Sequence, residues 1–350
     1  MTRPDRAGSR LRVRRSLAGS FRLSVASGAA IVALLAARPA RAGDNDLLLW
    51  TLGNPDSMIT CTICDGSDNT RVAGDPLAQT RFARMTAALG LAFVPGFGET
   101  AASIGQAGFE IGFTQSARIL SINANEWATD GSWNASSPAL PQAQQFSQPP
   151  GALMLSSLTI RKGIGGSFDI GAFATYLAES QMFALGAEVR GALIDGIDYA
   201  PDLSIRAWGA RVVGTRELDL TMAGADAMLS KSFGVSGSVK LQPYGQFGVV
   251  LINATSGVID FNPAHQDLKN PTSADGVFGD IHMLENRYNR AAAGLRIVAG
   301  AAVIGLEGDY AFGTSPVQHN ALPASGGVVP PTPTQTTHQI GIDAHLGLQF

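Results

Sequence analysis

The chain is 350 residues long with a formal net charge of −3, a balance that gives no pull toward nucleic acid. Charged residues make up only 15% and glycine reaches 41 residues, whereas soluble globular domains usually carry ~25% charged residues. Neither long amphipathic helices nor recurring βαβ units can be traced, which argues against the common soluble enzyme folds.

The chain opens on a basic stretch. Arg3, Arg6, Arg10, Arg12, Arg14, Arg15 and Arg22 precede an apolar run from Leu23 to Ala37, and Ala40-Arg41-Ala42 follows. A basic head, a short apolar middle and an A-x-A site predict a secretory signal peptide over 1–42, cleaved after Ala42. The apolar run of about 15 residues falls short of the ~20 that a spanning helix needs. No later segment reaches the ~18 continuous apolar residues of a membrane helix. Export without such a helix leaves the periplasm, the medium, or a membrane barrel as destinations.

Residues 43–108 show no alternation. Phe82, Met85, Leu89 and Phe93 fall at helical spacing, so a short amphipathic helix is expected over 79–93, stopped by Pro95-Gly96. The segment is expected at the periplasmic end of a barrel or as a plug in it. Cys61 and Cys64 are the only two cysteines. Nothing nearby builds the βαβ unit of a thioredoxin-like redox motif, and one CxxC offers two of the four ligands of structural zinc. A local disulfide in an oxidising compartment is the simpler reading.

From residue 109 onward about ten stretches read as strands. In the last, Ile340, Ile342, Ala344, Leu346, Leu348 and Phe350 alternate with Gly341, Asp343, His345, Gly347 and Gln349. Since side chains alternate faces along a strand, one face is apolar and the other polar. The same rhythm runs through 109–114, 183–193, 203–208 and 304–312, and more weakly through 153–162, 168–177, 218–232, 237–252 and 288–299. In 218–232 the phase slips near Ala223 to Ala225, which suggests a β-bulge. The charges of the polar face come in both signs: Glu110, Arg118, Arg161, Asp169, Glu188, Arg190, Arg206, Asp219, Arg296, Glu307, Asp309 and Asp343. They predict a network of paired charges in a narrow interior, with the apolar face turned to lipid.

The long connections, roughly 123–150, 255–286 and 314–336, all follow odd-numbered strands. Outer-membrane barrels put short turns on the periplasmic side and long loops outside, so this parity fits them. The expectation is therefore an all-β fold, a closed antiparallel transmembrane barrel of about 10 strands (8 to 12) over 109–350. Such a barrel should leave little free bore.

The final strand ends on Phe350, two residues after Leu348 and four after Leu346. This ending resembles the closing strand of outer-membrane barrels, which implies recognition by the barrel-assembly machinery as well as contact with outer-membrane lipid. The stretches GFGETAASIGQAGFEIGF, from Gly96 to Phe113, and ENRYNRAAAGLRI, from Glu285 to Ile297, are similar to a group of uncharacterised proteobacterial outer-membrane proteins. That resemblance implies no activity, and oligomeric state is left open.

Chemistry is thinly represented. The chain has five histidines; His265 beside Asp260 or Asp267, and His282 beside Asp280, could form a base–carboxylate site on an outer loop. No GxSxG elbow or HExxH helix is present, and GIGGS from Gly163 to Ser167 lacks the lysine of a phosphate loop. The reading is a structural or small-solute barrel without cofactor or resident metal. A rim enzyme and a porin-like channel are the alternatives.

Overall fold

A computed structural model describes residues 45–52, 59–60, 71–72, 76–96, 98–122, 126–129, 150–197, 199–237, 239–260, 275–313, 318–319 and 337–350. The signal segment, Cys61, Cys64, His265, Asp267 and most of the three long connections lie outside the described residues.

Ten long antiparallel strands close into a barrel. They are β1 (Phe109–Leu120), β2 (Ala152–Gly165), β3 (Phe168–Leu177), β4 (Phe183–Ile194) and β5 (Asp202–Val213). The wall continues with β6 (Leu218–Ser230), β7 (Val239–Ser256), β8 (Arg287–Ala299), β9 (Ala302–Gly313) and β10 (Thr337–Gln349). Each strand pairs with the next, and β10 closes on β1 from Gln339↔Leu120 to Gln349↔Glu110. Phe350 and Phe109 extend that seam, each donating its N–H to the other's carbonyl at 2.8 and 3.0 Å. The terminal aromatic thus finishes the last hydrogen-bonded pair of the closure, leaving no free edge.

The wall is inverted relative to a soluble protein. Leu306 is 61% exposed, Leu346 57% and Ile342 52%, whereas Arg118, Arg161, Arg206 and Arg296 are each 1 or 2% exposed. A β-sandwich buries its apolar face; a barrel in lipid does the reverse. Outward-facing aromatics mark the two ends, with Phe168 at one and Tyr176 at the other on β3. Their spacing is about 27 Å along a strand at ~3.4 Å per residue. At a tilt of ~40° this gives about 21 Å of height, near the ~25 Å apolar band of membrane barrels. One polar pair faces outward within the band, where Ser156 Oγ donates to Gln115 Oε1 at 2.9 Å so that the two satisfy each other.

The interior is not polar throughout. Toward the end that carries the long connections, β2–β7 turn apolar side chains inward, among them Leu153, Leu155, Leu218, Leu220, Met222 and Ile252. These residues pack around α1 (Pro76–Ala92). The helix is buried on nearly all sides rather than amphipathic, because the barrel wall surrounds it. Gly90 allows the close approach to β7, since a Cβ there would stand 2.7 Å from Ile252 Cδ1.

Of the two positions expected for this segment, α1 takes the one inside the barrel, at the end that carries the long connections. Phe82 stacks on Phe278 with ring centroids 4.6 Å apart, and Arg84 pairs with Glu126 at 2.5 Å. Both partners belong to long connections, so α1 plugs the long-loop end. Upstream, a 3-10 turn at Leu49–Leu52 reaches the same end, with Leu49 N–H donating to Glu217 Oε2 at 2.8 Å.

The expected bulge in β6 is absent. Ser256↔Leu218 to Tyr244↔Ser230 run in unbroken register, as does the pairing with β5. The phase only seems to slip because Leu218, Leu220 and Met222 face the apolar part of the interior. The register shifts of the wall lie instead at Gly163/Gly165 and Ala192/Ile194.

Candidate functional site

Below α1 the lumen holds a dense set of ion pairs, threaded by residues 94–96 and 98–108 as the chain descends to β1. In one group, Arg161 pairs with Glu110 at 2.8 Å and lies 3.5 Å from Asp169. Arg296 meets the same Glu110 oxygen at 2.8 Å. Arg206 binds Asp226 at 2.9 Å and Glu188 at 3.2 Å, and Trp208 Nε1 donates to Asp226 at 3.0 Å. A second group lies nearer the long-loop end of β1, β8, β9 and β10, where Arg118 bridges Asp309 at 2.7 Å and Asp343 at 3.0 Å. Arg290 holds Asp309 at 2.9 Å, and Tyr244 donates its hydroxyl to Glu307 at 2.8 Å.

The thread is bound into both groups. Arg290 donates to Pro95 O at 2.8 Å, and Gly98 N–H donates to Glu307 Oε2 at 3.0 Å. Glu99, the thread's one carboxylate, is gripped by Arg190, which also donates to Thr100 O at 2.8 Å. Ser103 Oγ donates to Asp169 at 2.9 Å. A buried guanidinium is stable only when carboxylates and carbonyls surround it, and here wall and thread supply them jointly.

The sequence-predicted charges are largely brought together. Glu110, Arg118, Arg161, Asp169, Glu188, Arg190, Arg206, Arg296, Glu307, Asp309 and Asp343 all face the lumen. Asp219 does not. It faces outward near the long-loop end and pairs with exposed Arg211 at 2.5 Å, because β6 keeps one phase throughout. Arg290, Asp226 and Glu99 belong to the network although the alternation reading passed over them. Arg290 shares the parity of Arg296 and could have been found from it. Asp226 could likewise have been found, since the slip expected near Ala223 to Ala225 would put it on the face assigned to Asp219, whereas Glu99 lies in a segment without alternation.

Two subsets look chemical in outline. Thr114 Oγ1 lies 3.0 Å from His345 Nδ1, and His345 Nε2 lies 3.8 Å from Glu110. The imidazole is closed in by backbone, however: a Cβ at Gly98 or Gly347 would come within 3.0 Å of the ring, so a substrate has no approach. Glu307, Asp309 and Asp343 offer carboxylate oxygens within 4.8 Å of one another. Arg118 and Arg290 already pair with all three carboxylates, so the oxygens a cation would need are taken up by guanidinium groups. At the long-loop end His282 lies two positions from Asp280 in the chain, and burial pushes the Glu217 carboxyl above its ordinary value against the lowering effect of the Leu49 N–H.

No family model matches the chain, and no curated protein matches it. Among solved structures it is similar to the outer-membrane protein OprG from Pseudomonas aeruginosa, at 11% identity and a TM-score of 0.25, covering 72% of this chain and 99% of that one. Neisserial surface protein A aligns at 9% identity and a TM-score of 0.26, over 69% of this chain and 96% of its own. Ail of Yersinia pestis aligns at 11% and 0.23, over 69% and 97%. Likenesses at this level carry no argument about activity. The closure, even strand number and lipid-facing wall of this chain make its own case for a barrel of the outer-membrane type.

Proposed function

We propose that the protein is an integral outer-membrane barrel with a structural role, closed to solutes by its own amino-terminal segment. The observation that carries this reading is the occupied lumen. Helix α1 and an apolar layer fill the long-loop end, and the segment that follows is held in the rest by the ion pairs of Glu99 and by hydrogen bonds such as Arg290 to Pro95 O. An open porin needs a water-filled bore, which ten-stranded walls scarcely provide even without a plug. The buried Thr114–His345–Glu110 set supports no enzymatic reading of the lumen, since it is walled off by backbone.

Membrane fractionation tests the proposal. The protein is expected in the outer-membrane fraction and should migrate faster on gels unboiled than boiled, as folded barrels do. A soluble periplasmic protein without heat-modifiable migration would contradict it.

A further inference from the structure

Every side-chain contact described for residues 45–93 that reaches a connection between strands lies at one end of the barrel. Asn45 donates to Ala178 O at 2.9 Å, and Gln181 donates its N–H to Asp46 at 2.7 Å. Leu49, Phe82 and Arg84 add contacts to Glu217, Phe278 and Glu126. These partners sit in the connections after β3, β5, β7 and β1, all odd-numbered. Strand β1 nevertheless begins at the opposite end, where Gly163 N–H donates to Gly108 O at 3.1 Å.

Residues 94–96 and 98–108 lie along the lumen between the two ends. Lipid offers no alternative route, because an irregular backbone cannot cross hydrocarbon with its amides unsatisfied. Glu99, held by Arg190 and 3.6 Å from Arg161, fixes the thread between the ends.

We propose that the barrel delivers its own amino-terminal segment through its lumen to the outer face of the membrane, so that residues 45–52 form part of the buried cap at the extracellular end and the chain next to them emerges there. This rests on the outer-membrane reading, in which long loops face outward. An exported chain starts on the periplasmic side, so residues upstream of 94 must enter the lumen as the wall closes around them. The odd-numbered loops and α1 then seal the route behind them.

Surface labelling with antibody, which does not cross the outer membrane, tests this on the full chain. One epitope is inserted after Leu52, a second within the 314–336 connection, and a third at the Gly300-Ala301 turn. Labelling of the first two on intact cells, and of the third only after permeabilisation, is the expected result. If the 314–336 epitope is labelled on intact cells but the one after Leu52 is not, self-delivery is overturned while the barrel reading stands. If only the Gly300-Ala301 epitope is labelled on intact cells, the orientation underlying both is wrong. Should the insertion after Leu52 block folding, Asp46→Cys in a C61S/C64S background, probed with a bulky polymer-linked maleimide, decides the same question.

Discussion

Asp219 and Asp226 are seven positions apart on one strand and show what a side chain's facing direction is worth. Asp226 is 2% exposed and neutralises Arg206 inside the lumen. Asp226→Ala leaves the buried Arg206 with Glu188 as its carboxylate partner and Trp208 Nε1 without its acceptor, and should lower unfolding stability by about 3–5 kcal/mol. Asp219 has a half-exposed side chain, and its pair with Arg211 is solvent-screened. Asp219→Ala should therefore change stability by less than about 1 kcal/mol. Urea unfolding of the two variants in lipid vesicles measures both, and equal costs would reverse the assigned facing. The alternation in the sequence located the wall residues but read the phase of β6 by treating every apolar position as lipid-facing. That rule fails wherever the interior is itself apolar, as around Leu218, Leu220 and Met222.

At the scale of elements, α1 was legible as a helix from Phe82, Met85, Leu89 and Phe93, but its position was not. A single sequence gives the period of a helix; it does not say whether the other face meets water or a surrounding wall. The nearly complete burial of α1 leads to a definite expectation. Phe82→Ala removes the stack on Phe278 and opens a cavity in the apolar layer, which should cost about 3–5 kcal/mol. Arg81→Ala, at a half-buried position, should fall within about 0.5 kcal/mol, and chemical unfolding of the pair tests the contrast. The thread gives a different signature. Glu99→Gln leaves Arg190 without its carboxylate on the thread, so hydrogen exchange should quicken at the N–H groups of Gly98 and Ala101. The amides of β9 should keep their protection. Faster exchange in β9 as well would mean that thread and wall open as one unit.

For the whole molecule, strand number and loop parity were readable, because each follows from period-two alternation and spacing along the chain, and the closing role of Phe350 was implied by the resemblance of the last strand to those of outer-membrane barrels. The contents of the lumen were not, since they depend on which wall residues oppose which across the barrel. Arg190 and Glu99 are 91 residues apart, and Arg290 and Pro95 are 195 apart. The barrel is thus a membrane wall turned around a small soluble-like core, with its hydrophobic layer at one end and charge pairs beneath. The most direct test is single-channel recording of the purified protein in planar lipid bilayers. The filled lumen predicts no stable conductance steps above the protein-free membrane; a large, long-lived open channel in the wild-type protein would contradict it.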